Sequence, residues 1–201
     1  MRLNSTILLA STLLALVLVA PPAAAQAPIV FEPIEEAEQP GTWSGTPTGT
    51  QATQTADNQV VVNEQYGVRI PRPGGWLLGQ APQGAIALFR AAGDGQAQIE
   101  VRVSRKLGPK QVEHFYSAFH NNLRRTGFTQ IARRPATVYG ELSGDEIEYQ
   151  VISSGREYHL VVWQHYRNGE AWIFTGFFPT RRRDAYYRSF ERMLSGVQFT
   201  N

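Results

Sequence analysis

The second half of the chain carries the clearest hydrophobic pattern. Two strands are predicted at 158–166 and 171–178, joined by Asn168-Gly169, a dipeptide that suits a two-residue hairpin because both positions accept positive φ. Apolar side chains alternate onto both faces of the first strand, with Leu160 and Val162 on one and Val161 and Trp163 on the other. Strands of this kind need cover on both faces.

Two amphipathic helices are predicted to supply that cover. The first begins at Gly108-Pro109 and ends before Gly127, and its apolar stripe consists of Val112, Phe115, Tyr116, Phe119 and Leu123. The second runs from about Arg181 to Leu194, and its apolar positions, continued just past its end, are Tyr186, Phe190, Met193, Leu194 and Val197.

The remaining alternation predicts further strands and, with the helices, a fold class. These strands are 60–62, 66–70, 86–91, 97–105, 146–152 and an extended stretch at 128–138 that Pro135 interrupts. Gln98, Glu100, Arg102 and Ser104 share one face, which is predicted to be exposed to water, as are Glu146 and Glu148. The order strands, helix, strands, helix predicts an α+β fold, a three-layer α/β/α sandwich around one antiparallel sheet.

The amino terminus has the pattern of a secretory signal peptide. Arg2 supplies a positive charge, an apolar run follows from Ile7 to Ala20, and Ala23-Ala24-Ala25 is a small-residue cleavage motif. A membrane anchor is the alternative, but a spanning helix needs about 20 apolar residues. We therefore expect residues 1–25 to be removed and the mature protein to be exported to the periplasm or the extracellular space without a transmembrane anchor.

Composition divides the mature chain into an acidic segment and a basic domain. Residues 26–58 are rich in Pro and Thr and carry five acidic and no basic side chains, which predicts a disordered tether. Residues 59–201 carry 18 basic and 12 acidic side chains and form the predicted domain. Ile29-Val30-Phe31, beside Glu35, Glu36 and Glu38, is either a docking motif, including for the chain's own basic domain, or part of a spacer.

The sequence predicts no catalytic residues, metal ligands or cofactor-binding residues. The chain has no cysteine, phosphate-binding glycine loop, nucleophile elbow or His-Glu-x-x-His motif. His159 and His165, six apart on one strand, are separated by about 20 Å and cannot share an ion. We therefore expect a protein that is not an enzyme.

Two groups of residues are candidates for binding. Arg124 and Arg125 end the first helix, and Arg133 and Arg134 follow soon after, so the four could converge into a basic cluster for an acidic partner or the tether. The alternative for such charges is a solvated surface. Trp76, Trp163 and Phe177 are candidates to line a pocket between sheet and helix.

A run near the start of the domain resembles a known family. Tyr66-Gly67-Val68-Arg69-Ile70-Pro71 leads to Trp76, and the terminal helix ends with Phe190, Met193, Leu194, Val197 and Phe199. This arrangement, over about 60–201, resembles the PsbP-like superfamily, which includes the extrinsic photosystem II protein, a nuclear Ran-binding relative and exported bacterial proteins. The resemblance implies a non-catalytic binding or assembly module on an α/β/α sandwich, and no site residues are carried over from it.

Two functions remain open at this point. The first is an exported protein-interaction or assembly module of the bacterial cell envelope, whose partner is an envelope protein; export disfavours nucleic acid as a partner. The second is a carrier of a small apolar ligand, with its pocket between sheet and helix. An enclosed apolar cavity would favour the carrier, and a solid core with an exposed aromatic or arginine patch would favour the interaction module.

Overall fold

The structure, a computed structural model, describes residues 51–53 and 60–200, which form eleven strands and two α-helices. The strands are β1 Gln51–Thr53, β2 Val60–Asn63, β3 Val68–Pro71, β4 Trp76–Leu78, β5 Ala85–Ala91, β6 Asp94–Ser104, β7 Thr129–Tyr139, β8 Leu142–Ser153, β9 Arg156–Arg167, β10 Glu170–Pro179 and β11 Gln198–Phe199. The helices are α1 Pro109–Arg125 and α2 Arg183–Ser195, and short 3-10 turns occur at Glu64–Tyr66 and Thr180–Arg182. The predicted leader and most of the predicted tether lie outside the described residues.

Antiparallel pairing organises both sheets. Seven strands form the main sheet in the order β4-β5-β6-β10-β9-β8-β7, and β1-β2-β3-β11 form a small sheet. Every strand pair recorded in these two sheets is antiparallel. The prediction of an α+β fold with an antiparallel sheet and two helices is confirmed. β1 falls within the predicted tether, and its three residues pair with β2.

The β9–β10 hairpin lies at the centre of the main sheet, as the sequence pattern predicts. Asn168 and Gly169 have φ values of 50° and 77°, the left-handed conformation that a tight hairpin turn requires. Residues 160–163 of β9 and 171–174 of β10 are at most 1% exposed. The prediction that this hairpin is buried on both faces is confirmed.

Two hydrophobic clusters cover opposite faces of β9. Leu160 and Val162 belong to a cluster that contains Phe119 and Leu123 of α1. Val161 and Trp163 belong to a second cluster, which contains Phe190, Met193 and Leu194 of α2 together with Val61, Val68 and Ile70 of the small sheet. Because successive strand residues point to opposite faces, the two clusters lie on opposite sides of the main sheet.

The prediction that one face of β6 is exposed to water is wrong. Gln98, Glu100 and Arg102 are all less than 9% exposed, and they lie on an interior strand between β5 and β10. Arg102 forms an ion pair with Glu100, and Thr175 of β10 donates a hydrogen bond to the Glu100 carbonyl. Polar alternation gave the correct face for each side chain but not the burial of that face, which depends on the neighbouring strands.

α1 begins and ends where Gly108-Pro109 and Gly127 predict. Gly108 precedes the helix in an extended conformation, and its backbone N–H donates to the Gln111 side chain at 2.8 Å. Pro109 occupies the first helical position, where its missing N–H leaves no helical bond unmade. Gly127, with φ of 93°, turns the chain towards β7.

Gly144 on β8 provides a test of how tightly the sheet packs against Trp163. A Cβ at position 144 would overlap the Gln164 carbonyl oxygen and would lie 2.7 Å from Cε2 of Trp163. We expect Gly144→Ala to lower the free energy of unfolding by about 2 kcal/mol, because backbone must move to accommodate the methyl group. Urea denaturation measures this, with Gly95→Ala as the control because no atom lies within 4 Å of its added Cβ. Equal stability of the two variants would contradict this packing.

Candidate functional site

An open cleft of about 750 Å³ lies between α1 and strands β7, β8 and β9. It forms because Phe119 and Leu123 of α1 pack over the central strands, whereas most of edge strand β7 is exposed. We call this feature the α1 cleft. The α1 side chains that face it include Tyr116, His120 and Arg124, and the sheet contributes polar groups from all three strands.

The four predicted arginines are divided between different surfaces. Arg124 and Arg133 both line the α1 cleft, where Arg133 forms a 2.6 Å ion pair with Asp145. Arg125 is exposed at the last position of α1. Arg134 points to the opposite face of the sheet from Arg133, because they are neighbours on one strand, and it pairs with Glu146 and Glu148. Two of the four therefore share the cleft, and their role in partner binding stays a prediction.

The three predicted pocket aromatics lie in the core. Trp76, Trp163 and Phe177 are 3%, 0% and 4% exposed. Trp76 and Trp163 belong to the cluster on the α2 side of the sheet, and Phe177 belongs to the cluster on the α1 side. None of the three lines the α1 cleft. A ligand-lining role for them also stays a prediction.

A hydrogen-bonded chain of three side chains forms the floor of the α1 cleft. His120 contacts the Tyr149 hydroxyl through Nδ1 at 2.8 Å and Oε1 of Gln164 through Nε2 at 2.8 Å. Because an amide oxygen only accepts, Nε2 carries the proton of the neutral ring and Nδ1 accepts from Tyr149. Burial lowers the pKa of His120, and the positive charges of Arg124 and Arg133 lower it further. The neutral ring thus satisfies both partners.

Tyr116 and His165 are a further pair of cleft residues that are held by hydrogen bonds. The Tyr116 hydroxyl donates to the His165 carbonyl at 2.7 Å, which ties α1 to β9. The His165 ring is bonded through Nδ1 to the Ser143 carbonyl at 2.8 Å, and burial lowers its pKa. Burial likewise raises the pKa of Tyr116. Tyr116, His120 and His165 are therefore held in place by protein partners.

On the opposite face of the sheet, two glutamates that were expected to be exposed are buried, and this prediction is wrong. Glu146 and Glu148 are 1% and 5% exposed. Arg134 pairs with both, and Nη2 of Arg183 in α2 lies 2.8 Å from Glu148. The alternating pattern could not reveal this arrangement because the cations come from other elements, Arg134 from the neighbouring strand β7 and Arg183 from α2.

Two tyrosines complete this buried ionic network. The Tyr139 hydroxyl donates to Oε2 of Glu146, and the Tyr187 hydroxyl donates to Oε1 at 2.8 Å. Burial is the main cause that raises the pKa of Tyr187 to about 12, with Glu146 adding to the shift. For Glu148, burial raises the pKa, but hydrogen bonds from Arg183 and Arg134 outweigh burial and lower its pKa overall. The network joins α2 to the edge of the main sheet.

No three His, Asp or Glu side chains within 60–200 are grouped as metal ligands. Neither α1 nor α2 has the length and hydrophobicity that a bilayer-spanning helix needs.

Comparison with solved structures assigns the fold. Cyanobacterial PsbP (CyanoP) from Synechocystis sp. PCC 6803 matches with a TM-score of 0.52 and 17% identity, over 76% of this chain and 99% of that protein. LpqN, a Mycobacterium tuberculosis protein involved in cell envelope biogenesis, matches with a TM-score of 0.51 and 12% identity, over 67% and 83%. The Saccharomyces cerevisiae Ran-binding protein Mog1p gives 0.52 and 6%, over 73% and 97%.

These likenesses identify the fold as PsbP-like, and the resemblance predicted from the sequence is confirmed at that level. At such low identities they carry information about fold alone. No protein-family model and no curated protein matches the chain.

Glu148→Gln tests the buried ionic network. We expect the variant to lose about 2 kcal/mol of unfolding free energy at pH 7, because hydrogen bonds between charged groups become weaker ones. Since the folded pKa of Glu148 lies below its ordinary value of 4.5, its ionic stabilisation is complete above that value and is lost as pH falls through the folded pKa. Urea denaturation should therefore show the difference from wild type shrinking at acid pH. Glu141→Gln, at an exposed position, is the control; an equal loss in that variant would contradict the assignment.

His120→Gln tests the floor of the α1 cleft. Because the folded pKa of His120 is below its ordinary value of 6.5, stability is complete above 6.5 and falls as pH drops towards the folded pKa. The variant should lose less stability than wild type between pH 7.5 and pH 5, which urea denaturation at a series of pH values measures. His114→Gln, at an exposed position on α1, serves as the comparison. A His120→Gln profile parallel to wild type would show that His120 does not control this dependence.

Proposed function

We propose that the chain is an exported, non-catalytic protein-interaction or assembly module of the bacterial cell envelope, and that the α1 cleft binds its partner. The observation that carries this proposal is the open cleft of about 750 Å³, whose floor residues His120, Tyr149 and Gln164 are already held by hydrogen bonds to one another. A surface whose side chains are fixed before binding loses less conformational entropy when a partner docks.

The shape of the cleft suits a peptide segment of a protein partner. α1 has 17 residues and is about 25 Å long, and the cleft follows its side. The facing edge strand β7 is exposed over most of its length, so backbone groups on its outer side are available to an incoming strand. The pairing of β7 with β8 shifts register twice, between Gln130 and Ala132 and between Arg134 and Thr137, where Ala136 has a positive φ. Residues 132–134 lie between these two irregularities, pair regularly with β8 and form the segment for strand addition.

Charge at one end of the cleft favours a partner with acidic residues. Arg124 lines the cleft at the end of α1, and exposed Arg125 adjoins it. Arg133 lies in the same cleft but is partly neutralised by Asp145. Such charges raise association rates more than they raise affinity. The acidic segment 26–50 of the chain itself is the competing occupant.

The proposed architecture and compartment are consistent with this role. We place the main sheet as the middle layer of a three-layer sandwich, with α1 on one side and α2 on the other, where the small sheet extends the α2 layer; the two clusters support this assignment. Residues 1–25 would be the signal peptide and 26–58 the tether. The roles stated for LpqN, in envelope biogenesis, and for Mog1p, in Ran binding, make partner binding a reasonable use of this fold.

The structure favours this proposal over the small-ligand carrier. The α1 cleft is open to solvent and lined by many polar groups, and the aromatics expected to line a carrier pocket pack in the two hydrophobic clusters. Carriers of apolar ligands enclose them in largely apolar cavities.

Site-specific photocrosslinking tests the proposal directly. A photoreactive residue at Ser117, exposed on the cleft side of α1, should crosslink one envelope protein in the producing cell, whereas the same residue at Ala185, exposed on α2, should not. With that partner purified, the double variant Arg124→Ala, Arg133→Ala should weaken binding by about fivefold, because each exposed charge contributes only a fraction of a kcal/mol.

Two results would contradict the proposal. One is equal crosslinking of the same protein from Ser117 and Ala185, which would mean that the partner does not bind specifically at the α1 cleft. The other is crosslinking from Ser117 only to residues 26–50 of the same chain, with no external partner even when those residues are deleted. That second result would make the cleft a site for self-docking of the tether.

A further inference from the structure

A second cleft lies at one end of the main sheet, where three strand ends meet. Because β10 is antiparallel to both β6 and β9, its C-terminal end adjoins their N-terminal ends. The resulting cleft, here called the sheet-end cleft, has a volume of about 380 Å³ and includes Gln96, Arg156, Thr180 and Arg181 in its lining. This is within the size range of small-molecule sites.

Thr180 is the first sign that the sheet-end cleft binds a ligand. Its Oγ1 atom is buried and has no hydrogen-bond partner among the described residues, although the residue lines the cleft. Buried hydroxyls are nearly always paired, so an unpaired one in a cleft wall calls for an explanation. A change of χ1 rotamer would turn this hydroxyl towards an acceptor in the cleft.

Two arginines supply positive charge without internal neutralisation. Arg156 and Arg181 line the cleft, and neither forms a salt bridge with any residue in the described ranges. Glu157 follows Arg156 on β9 and also lines the cleft, so one carboxylate lies in the same lining as the two cations.

The other acidic group of the sheet-end cleft already has protein partners. Asp94 accepts hydrogen bonds from the Tyr186 hydroxyl at 2.9 Å and from the Gln96 backbone N–H at 3.2 Å, and it lies 3.8 Å from Arg182. An anion entering the cleft would therefore meet two guanidinium groups that form no salt bridge within the described residues, the Glu157 carboxylate and, after a change of rotamer, the Thr180 hydroxyl.

We propose that the sheet-end cleft binds the phosphate group of a small molecule. Guanidinium groups match phosphate oxygens in bidentate geometry, and three separate donors suit a tetrahedral anion better than a planar carboxylate with two oxygens. The cleft is larger than a phosphate ion, so it leaves room for the organic part of a phosphate monoester. This site shares no residue with the α1 cleft and does not depend on the function proposed for it.

Calorimetric titration of the mature chain, residues 26–201, tests this site. The probes are inorganic phosphate, glycerol 3-phosphate and vesicles containing phosphatidylglycerol, each at low ionic strength with chloride as the reference salt. We expect saturable binding that Thr180→Val weakens by about tenfold, because a hydrogen bond to a charged group is lost. Arg181→Gln should weaken binding to a similar extent, Thr180→Ser should preserve it, and Arg188→Gln, at an exposed position on α2, should leave it unchanged.

Stability separates this role from a structural one. Thr180→Val removes a buried unpaired hydroxyl, so its unfolding free energy should equal or exceed that of wild type while phosphate binding falls. Thr180-dependent binding to a soluble probe would support a metabolite ligand, and Thr180-dependent binding to vesicles alone would support a lipid headgroup as the source of the phosphate. Absence of saturable binding to all three probes would overturn the proposal, as would equal weakening by Arg181→Gln and Arg188→Gln.

Discussion

The burial of the β9–β10 hairpin on both faces is the constraint on which the rest of the structure depends. Its side chains alternate between the two hydrophobic clusters, so neither face can be left in water. Fully burying one large apolar side chain is worth about 1.5–3 kcal/mol, and the hairpin contributes several on each face. Residues of α1 belong to one of these clusters, and residues of α2 and of the small sheet belong to the other.

The position of the α1 cleft follows from the way α1 packs on the main sheet. α1 packs over the centre of the sheet, where the apolar surface is, and it leaves the edge strand β7 largely exposed. The space between helix and edge strand becomes the α1 cleft, and its floor is polar because His120, Tyr149 and Gln164 satisfy one another there. On the other face, the buried ionic network of Glu146, Glu148, Arg134 and Arg183 holds α2 against the same edge.

The sequence predicts local features well, but it predicts poorly which residues distant in the chain become neighbours in the fold. The Asn168-Gly169 turn, both helices and the two-faced burial of β9 and β10 depend on neighbours in the chain, and all are confirmed. The exposure predicted for Glu100, Glu146 and Glu148 is wrong, because alternation tells which side chains share a face but not what covers it. The separation of Arg133 from Arg134 follows from strand geometry, but their partners, Asp145 and the glutamates of β8, depend on register. Thr180 and Arg156 carry no motif, and only the meeting of three strand ends makes them neighbours.

Native-state hydrogen exchange of residues 26–201 tests the central claim most directly. If the double-sided hairpin holds the domain together, the amides of residues 160–163 and 171–174 should exchange only through global unfolding, with opening free energies equal to that from urea denaturation. Amides of β7 should open at lower free energy, because this edge strand has one neighbour and an exposed surface. Exchange of the hairpin amides at or above the rate of the β7 amides would contradict the account.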